Sequence, residues 1–112
     1  MSSIKMVKTK ESMNLNKCVC EIKKDIVVLG TSVELSDEFF TSCNSWFATY
    51  EKYYYRTNST IALSILLEEV DDRFEVYLIV AAGRGGVFNF SYGSETNLLD
   101  KAVRYLQSKG FK

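Results

Sequence analysis

Cysteine is the residue type in this sequence most able to do chemistry, because a thiolate can bind a metal or act as a nucleophile. The chain of 112 residues contains three cysteines, Cys18, Cys20 and Cys43, and no histidine. On a helix, the C-x-C spacing turns the thiols of Cys18 and Cys20 about 200° apart, so they cannot share one ion. No imidazole is present to activate a thiol or to complete a metal site. We therefore predict structural cysteines, without a metal site or a catalytic thiol.

Paired carboxylates could serve as general acid and base, as they do in glycosidases. The acidic pairs are Asp37 with Glu38, Glu68 with Glu69, and Asp71 with Asp72. Each pair consists of sequence neighbours at a predicted strand end or turn, where solvated acidic residues are common. The stretch "EEVDDR" also lacks the D-x-D-x-D-G pattern of a calcium loop. We expect that the protein is not an enzyme and that it needs no cofactor.

The glycine-rich stretch "GRGG", residues 83–86, could approach a phosphate closely. It matches neither the G-x-x-x-x-G-K-[S/T] loop nor the G-x-G-x-x-G fingerprint, which opens a helix directly after a strand. Here the glycines lie between two strand-like segments, and glycine permits the positive φ angles of a hairpin turn. We predict a turn, with Arg84 solvated at its tip and its role left open.

The stretch "YEKYYYR", residues 50–56, is the strongest candidate for a binding surface. Tyrosines beside cations could stack on single-stranded nucleic acid. The same tyrosines could be ordinary residues of a half-exposed strand, or an aromatic face that meets a small ligand, another protein or a second copy of the chain. The predicted interaction surface comprises Trp46, Tyr50, Lys52, Tyr53, Tyr55, Arg56 and Arg84.

Charge and hydropathy narrow the classes of partner. Fourteen basic residues balance fourteen acidic ones, so no long-range field attracts a nucleic-acid backbone. The first ten residues lack the apolar core of a signal peptide, and no apolar run reaches the length of a membrane span. We predict a cytoplasmic protein with reduced thiols, no membrane partner, and nucleic acid as the less favoured ligand.

The spacing of apolar residues indicates the elements that would position these groups. A period of three to four residues from Leu15 to Leu29 predicts a helix that ends at Gly30. A short strand at Val33 and Leu35 is followed by polar turn formers over 36–45. Alternating strands are predicted near 45–56, 61–69 and 74–82, with a further one at 87–92, before a helix that ends at Gly110.

These elements predict one α+β domain over residues 1–112, in which residues 1–10 are a flexible lead-in. The strands form an antiparallel meander of four or five strands. The N-terminal and C-terminal helices pack on one face of this sheet, and the chain order is α-β-β-β-β-(β)-α.

The last two thirds of the chain resemble a family of short bacterial proteins from Gram-positive lineages, a domain of unknown function. The family has a strand of the form Y-E-[K/R]-Y-x-Y, then a strand hairpin, a glycine-rich turn, an aromatic strand and a closing helix. The matching positions are Tyr50, Glu51, Lys52, Tyr53, Tyr55, residues 83–86, Phe88 and Phe90. The resemblance implies an α+β fold and no assigned activity.

From the residues themselves we predict a non-catalytic binding or protein-interaction module, with self-association as one form of it. The alternative is a single-stranded nucleic-acid binder that uses the aromatic and basic strand 50–56.

Overall fold

The computed structural model of the chain describes residues 2–10, 14–30, 33–42, 44–54, 59–82 and 94–112. The strands are β1 (Ser2–Thr9), β2 (Val33–Thr41), β3 (Ser45–Tyr54), β4 (Ser59–Val70) and β5 (Arg73–Ala82). The helices are α1 (Leu15–Asp25), which a 3-10 turn (Ile26–Leu29) continues, and α2 (Ser94–Ser108). The strands form one antiparallel sheet in the order β1-β5-β4-β3-β2. The predicted α+β class with two helices on a sheet is confirmed.

Strands β2 to β5 form the predicted meander, but the chain begins with a strand that was not predicted. The expectation of a flexible lead-in at residues 1–10 is wrong, because β1 pairs with β5 from Ser2 opposite Val80 to Thr9 opposite Arg73. Met6 is buried in the core. The order of elements is therefore β-α-β-β-β-β-α.

The alternation along the central strands separates a buried face from an open one, because successive side chains of a strand point to opposite sides. On the face that carries both helices, eleven alternate residues of β3, β4 and β5 are buried. These residues are Trp46, Ala48, Tyr50, Ile61, Leu63, Ile65, Leu67, Phe74, Val76, Leu78 and Val80. Leu15, Cys18, Val19 and Ile22 of α1 and Leu98, Ala102 and Leu106 of α2 complete the core.

Polar contacts fix α1 to the sheet. The Asn14 side chain accepts a hydrogen bond from the Lys17 amide at 2.9 Å and so caps the helix. Glu69 of β4 accepts from the Leu15 amide at 3.1 Å, and its carboxylate also pairs with Lys10. A carboxylate at this end complements the positive end of the helix dipole.

The end of α2 turns the chain back to the edge of the sheet. Gly110 has a φ of +100°, and the amide of Phe111 donates to the Leu106 carbonyl at 3.0 Å, as in a Schellman motif. Phe111 is buried, and Lys112 exchanges two main-chain hydrogen bonds with Val7 of β1. The outer edge of β1 is thus covered at Val7.

Strand β2 is longer than predicted. The segment expected to hold turn formers continues as a strand to Thr41, with an irregular register between Leu35 and Asp37. The turn to β3 is short and includes Asn44 at a φ of 58°. Phe39 and Phe40 consequently lie in an edge strand. The predicted turn at 83–86 and strand at 87–92 lie outside the described residues.

Candidate interaction surface

The sheet face opposite the described helices, called the open face below, carries a row of apolar side chains. Phe39 lies opposite Phe47, Phe47 opposite Leu66, and Leu66 opposite Tyr77. Lys5 of β1 ends the row beside Tyr77. Because cross-strand partners lie about 5 Å apart, these side chains form one continuous band across the sheet.

The band is substantially exposed to solvent. The exposed fractions are 61% for Phe39 and 38% for Phe47, and Ile79, in the neighbouring row, is 42% exposed. Leu66 and Tyr77 are half-buried. Soluble monomers rarely expose contiguous apolar patches, and such patches commonly mark interaction sites. The geometry therefore makes the open face the candidate interaction surface.

A network of charges lies next to the band on the same face. Glu75 accepts from Arg73 Nε at 2.8 Å and from the Tyr77 hydroxyl at 3.1 Å, and Lys5 Nζ lies 3.5 Å from its carboxylate. These contacts, that of Arg73 foremost, hold the pKa of Glu75 below its usual range. Lys5 also lies 5.2 Å from the centre of the Tyr77 ring. Glu75 is thus held as an anion within a fixed set of donors.

The opposite corner of the open face, near the β2 edge, is acidic. Glu34 of β2 lies directly opposite Glu51 of β3, and Asp37 lies two register positions further along. No lysine or arginine in the described ranges forms an ion pair with these three carboxylates. Like charges in direct cross-strand register are destabilising. This corner adjoins Phe39 and Phe47.

Two residues of the predicted interaction surface lie in the core instead. Trp46 is completely buried and Tyr50 is nearly so, since both point toward the helices. The indole of Trp46 donates to Glu38 at 2.8 Å, and Lys23 of α1 binds the same carboxylate at 2.8 Å. The contact with Lys23, followed by that with Trp46, lowers the pKa of Glu38. The prediction that Trp46 and Tyr50 contact a partner is therefore corrected.

The other predicted residues are only partly within the described ranges. Lys52 points to the helix side, where its ammonium lies beside Gly30 and 5.1 Å from the centre of the Tyr54 ring. Burial lowers the pKa of Lys52, and the charge of Lys101 lowers it further. Tyr53 points to the open face, because it alternates with Lys52. The described part of the predicted stacking platform is thus divided between two faces.

Tyr55, Arg56 and Arg84, the remaining members of that prediction, lie outside the described residues.

The thiols are arranged as their spacing predicts. Cys18 is buried in the core and Cys20 is exposed on the other side of α1. Burial raises the pKa of the Cys18 thiol to about 11. Within the described ranges, no group of three or more cysteine, aspartate or glutamate side chains could hold a metal ion.

A small cavity lies between the helices and the sheet. Its volume is about 20 Å³, which is room for about one water molecule, and its lining includes Ile22, Leu63, Leu78 and Tyr105. The Tyr105 hydroxyl donates to Asp25 at 2.8 Å at the margin of this cavity and links α2 to α1.

Neither α1 nor α2 has the length and apolar character needed to cross a membrane.

Apart from Tyr53, the residues of the open face were not predicted as site residues. Phe39 was assigned to a polar turn, and Leu66, Tyr77 and Ile79 were assigned to strands without a role. The sequence contains a signal for this surface. Leu66, Tyr77 and Ile79 are large side chains that alternate with the apolar residues already predicted to face the core.

Comparison with known proteins places the chain in a family. No curated protein and no solved structure matches it. A family model described as "Family of unknown function (DUF6054)" matches residues 1–110. The predicted resemblance to a domain of unknown function is confirmed, and it extends over nearly the whole length instead of the last two thirds. The chain belongs to the family of unknown function DUF6054.

Proposed function

We propose that this chain is a non-catalytic, cytoplasmic protein-interaction module that binds another protein through its open face. The observation that carries the proposal is the exposed band that runs from Phe39 through Phe47 and Leu66 to Tyr77. The core of the described residues does not include this band, because that core lies on the opposite face of the sheet.

The size of the open face supports this proposal. Five strands about 4.8 Å apart, with about ten residues each at about 3.3 Å per residue, present an area of roughly 800 Å². A standard protein interface buries about 800 Å² on each partner. The open face is therefore large enough for a complete interface.

The charges of the described residues support a non-catalytic role. The carboxylates of Glu75, Glu38 and Asp25 all have a lowered pKa, in each case chiefly because of a hydrogen bond from a neighbouring side chain. A general acid or base works best with a pKa near the operating pH, which requires the opposite shift for a carboxylate. These groups serve better as fixed partners in ion pairs.

The thiols support the cytoplasm as the compartment. Cys18 and Cys20 are both free thiols, and Cys20 is exposed. Exposed free thiols are more typical of a reducing compartment than of an oxidising one.

The nucleic-acid alternative receives less support from the described residues. Stacking proteins combine aromatic side chains with cations along one groove. Lys52 and Tyr53 lie on opposite faces, and acidic side chains predominate on the open face. Binding to another protein remains the better account of the aromatic band.

Site-specific photo-crosslinking in cells that produce this protein tests the proposal. A photoreactive phenylalanine analogue replaces Phe39 or Phe47 on the open face, and Lys17, exposed on α1, serves as the control position. We expect protein adducts from the two open-face positions and few from Lys17. Absence of adducts at Phe39 and Phe47, or equal adducts at all three positions, would contradict the proposed function.

A further inference from the structure

We propose that the partner of the open face is a different protein whose contact surface has an apolar centre and a rim of lysine and arginine residues. This inference rests on the proposed function and specifies the chemistry of its partner. It is based on the charges around the aromatic band, which disfavour a second copy of the same face.

The described strands place more carboxylates than cations on the open face. The carboxylates belong to Glu34, Asp37, Glu51, Glu68 and Glu75, and the cations belong to Lys5 and Arg73. Both cations already contact Glu75. Glu68, opposite Glu75, accepts only a long hydrogen bond of 3.4 Å from Ser45 among the contacts within the described ranges. Over the described strands, the face is therefore apolar at its centre and anionic around it.

A second copy would bring an identical anionic rim against this one. The carboxylates of Glu34, Asp37 and Glu51 would lose water without gaining a cation from the described strands, since Lys5 and Arg73 already contact Glu75. The desolvation of an unpaired charge is costly. Complementary potentials, in contrast, favour association and exclude partners of the same sign. A cationic rim on the partner meets this requirement.

The acidic corner indicates where the partner's cations would bind. Glu34 and Glu51 lie in direct register, and on the same face the pair of Asp37 and Thr49 separates them from Phe39 and Phe47. No described cation pairs with Glu34 or Glu51. A lysine or arginine placed between Glu34 and Glu51 would relieve their repulsion, while an apolar side chain about 13 Å further along contacts the two phenylalanines. One extended segment has this geometry if it carries a cationic and an apolar residue four positions apart, because both side chains then point to the same side.

Two synthetic peptides can probe this chemistry directly. One ten-residue peptide has two lysines and then two valines at every second position with serine between them, so that each lysine lies four positions from a valine and all four point to one side. The other has glutamate in place of lysine, and each is titrated into ¹⁵N-labelled protein at low salt. We expect the lysine peptide to shift amide resonances of the open face, such as those of Phe47 and Leu66, and the glutamate peptide to shift none. The affinity of the lysine peptide should fall as salt is added, because salt screens exposed charges.

A pair of matched variants locates the contact. Glu51→Gln removes one carboxylate from the open face, whereas Asp100→Asn makes the same change in charge at an exposed position on α2. We expect Glu51→Gln to weaken the lysine peptide by about two- to fivefold, as for an exposed ion pair, and Asp100→Asn to leave its affinity unchanged.

Several results would overturn the inference. They are a lack of binding by the lysine peptide, equal binding of both peptides, resonance shifts confined to the helices, and equal effects of the two variants.

The crosslinking experiment distinguishes failure of this inference from failure of the proposed function. Adducts at Phe39 and Phe47 that contain a second copy of the chain would support an interaction module and refute a basic partner, whereas absence of adducts would refute the module itself.

Discussion

Replacement of two phenylalanines by alanine tests whether the open face is free of packing in the isolated protein. Phe74 is completely buried on the helix side, and truncation of a buried phenylalanine costs about 3–5 kcal/mol of unfolding free energy. Phe39 is 61% exposed, so its truncation should cost less than about 1 kcal/mol, including the loss of β propensity. The two substitutions delete the same atoms, and only their surroundings differ.

Urea unfolding followed by tryptophan fluorescence measures both effects. Trp46 is the only tryptophan of the chain and is buried, so its emission should change when the core opens. With a slope of about 2 kcal/mol per molar urea, Phe74→Ala should lower the midpoint by about 2 M and Phe39→Ala by less than about 0.5 M. If Phe74→Ala does not fold, Phe74→Leu provides a smaller cavity for the same comparison.

Equal destabilisation by the two alanine substitutions would refute the reasoning. Such a result would mean that Phe39 is packed in the isolated protein, either by a second copy or by another part of the chain. A dependence of the Phe39→Ala effect on protein concentration would identify the second copy, because association adds a concentration term to stability.

Three further predictions concern particular contacts. The pKa of Glu75 is lowered in the fold, so its ionised form stabilises the protein at neutral pH. This contribution is lost as pH falls below about 4.3. Glu75→Gln should therefore reduce the loss of unfolding free energy at acid pH, as measured by urea unfolding at several pH values. Asn14→Ala removes the cap of α1 and should lower the unfolding free energy by about 1 kcal/mol, whereas no loss would show that the cap is dispensable. In a Cys43→Ser variant at pH 8, a thiol reagent should modify Cys20 rapidly and Cys18 only after urea is added. The reason is that Cys18 is buried and its thiol has a pKa of about 11. Rapid modification of both thiols would contradict the burial of Cys18.

The central strands could be predicted because their period of two is regular. Ile61 to Leu67 in β4 and Phe74 to Val80 in β5 place apolar residues at every second position, and the structure buries those positions. The first strand could not be predicted in this way. Among the β1 side chains whose burial is described, those of residues 3–9, Met6 is the buried one. Its partner β5 lies about seventy residues away, so local periodicity carries little of the signal.

The candidate site was only partly predictable because β3 has aromatic residues on both faces. The alternation correctly separates Trp46 and Tyr50 from Phe47 and Tyr53. It does not tell which set the helices cover, because that choice depends on the apolar faces of the neighbouring strands. The prediction joined residues of both faces into one surface. Phe39 was missed because polar residues flank the pair of Phe39 and Phe40 in sequence.

The balanced net charge, which made nucleic acid a less favoured ligand, does not describe either face of the sheet. The exposed cations Lys17, Lys24, Lys101 and Arg104 lie on the helix side, where Asp100 is the exposed carboxylate among the described helical side chains. The helix layer and the open face lie about 10 Å apart, which is close to the Debye length at physiological salt. A partner at either face therefore experiences mainly the charges of that face. In the net charge of the whole chain, the anionic open face and the cationic helix side cancel. The charge that a partner must carry depends instead on how the charges are distributed over the two sides. Only the pairing of strands reveals that distribution.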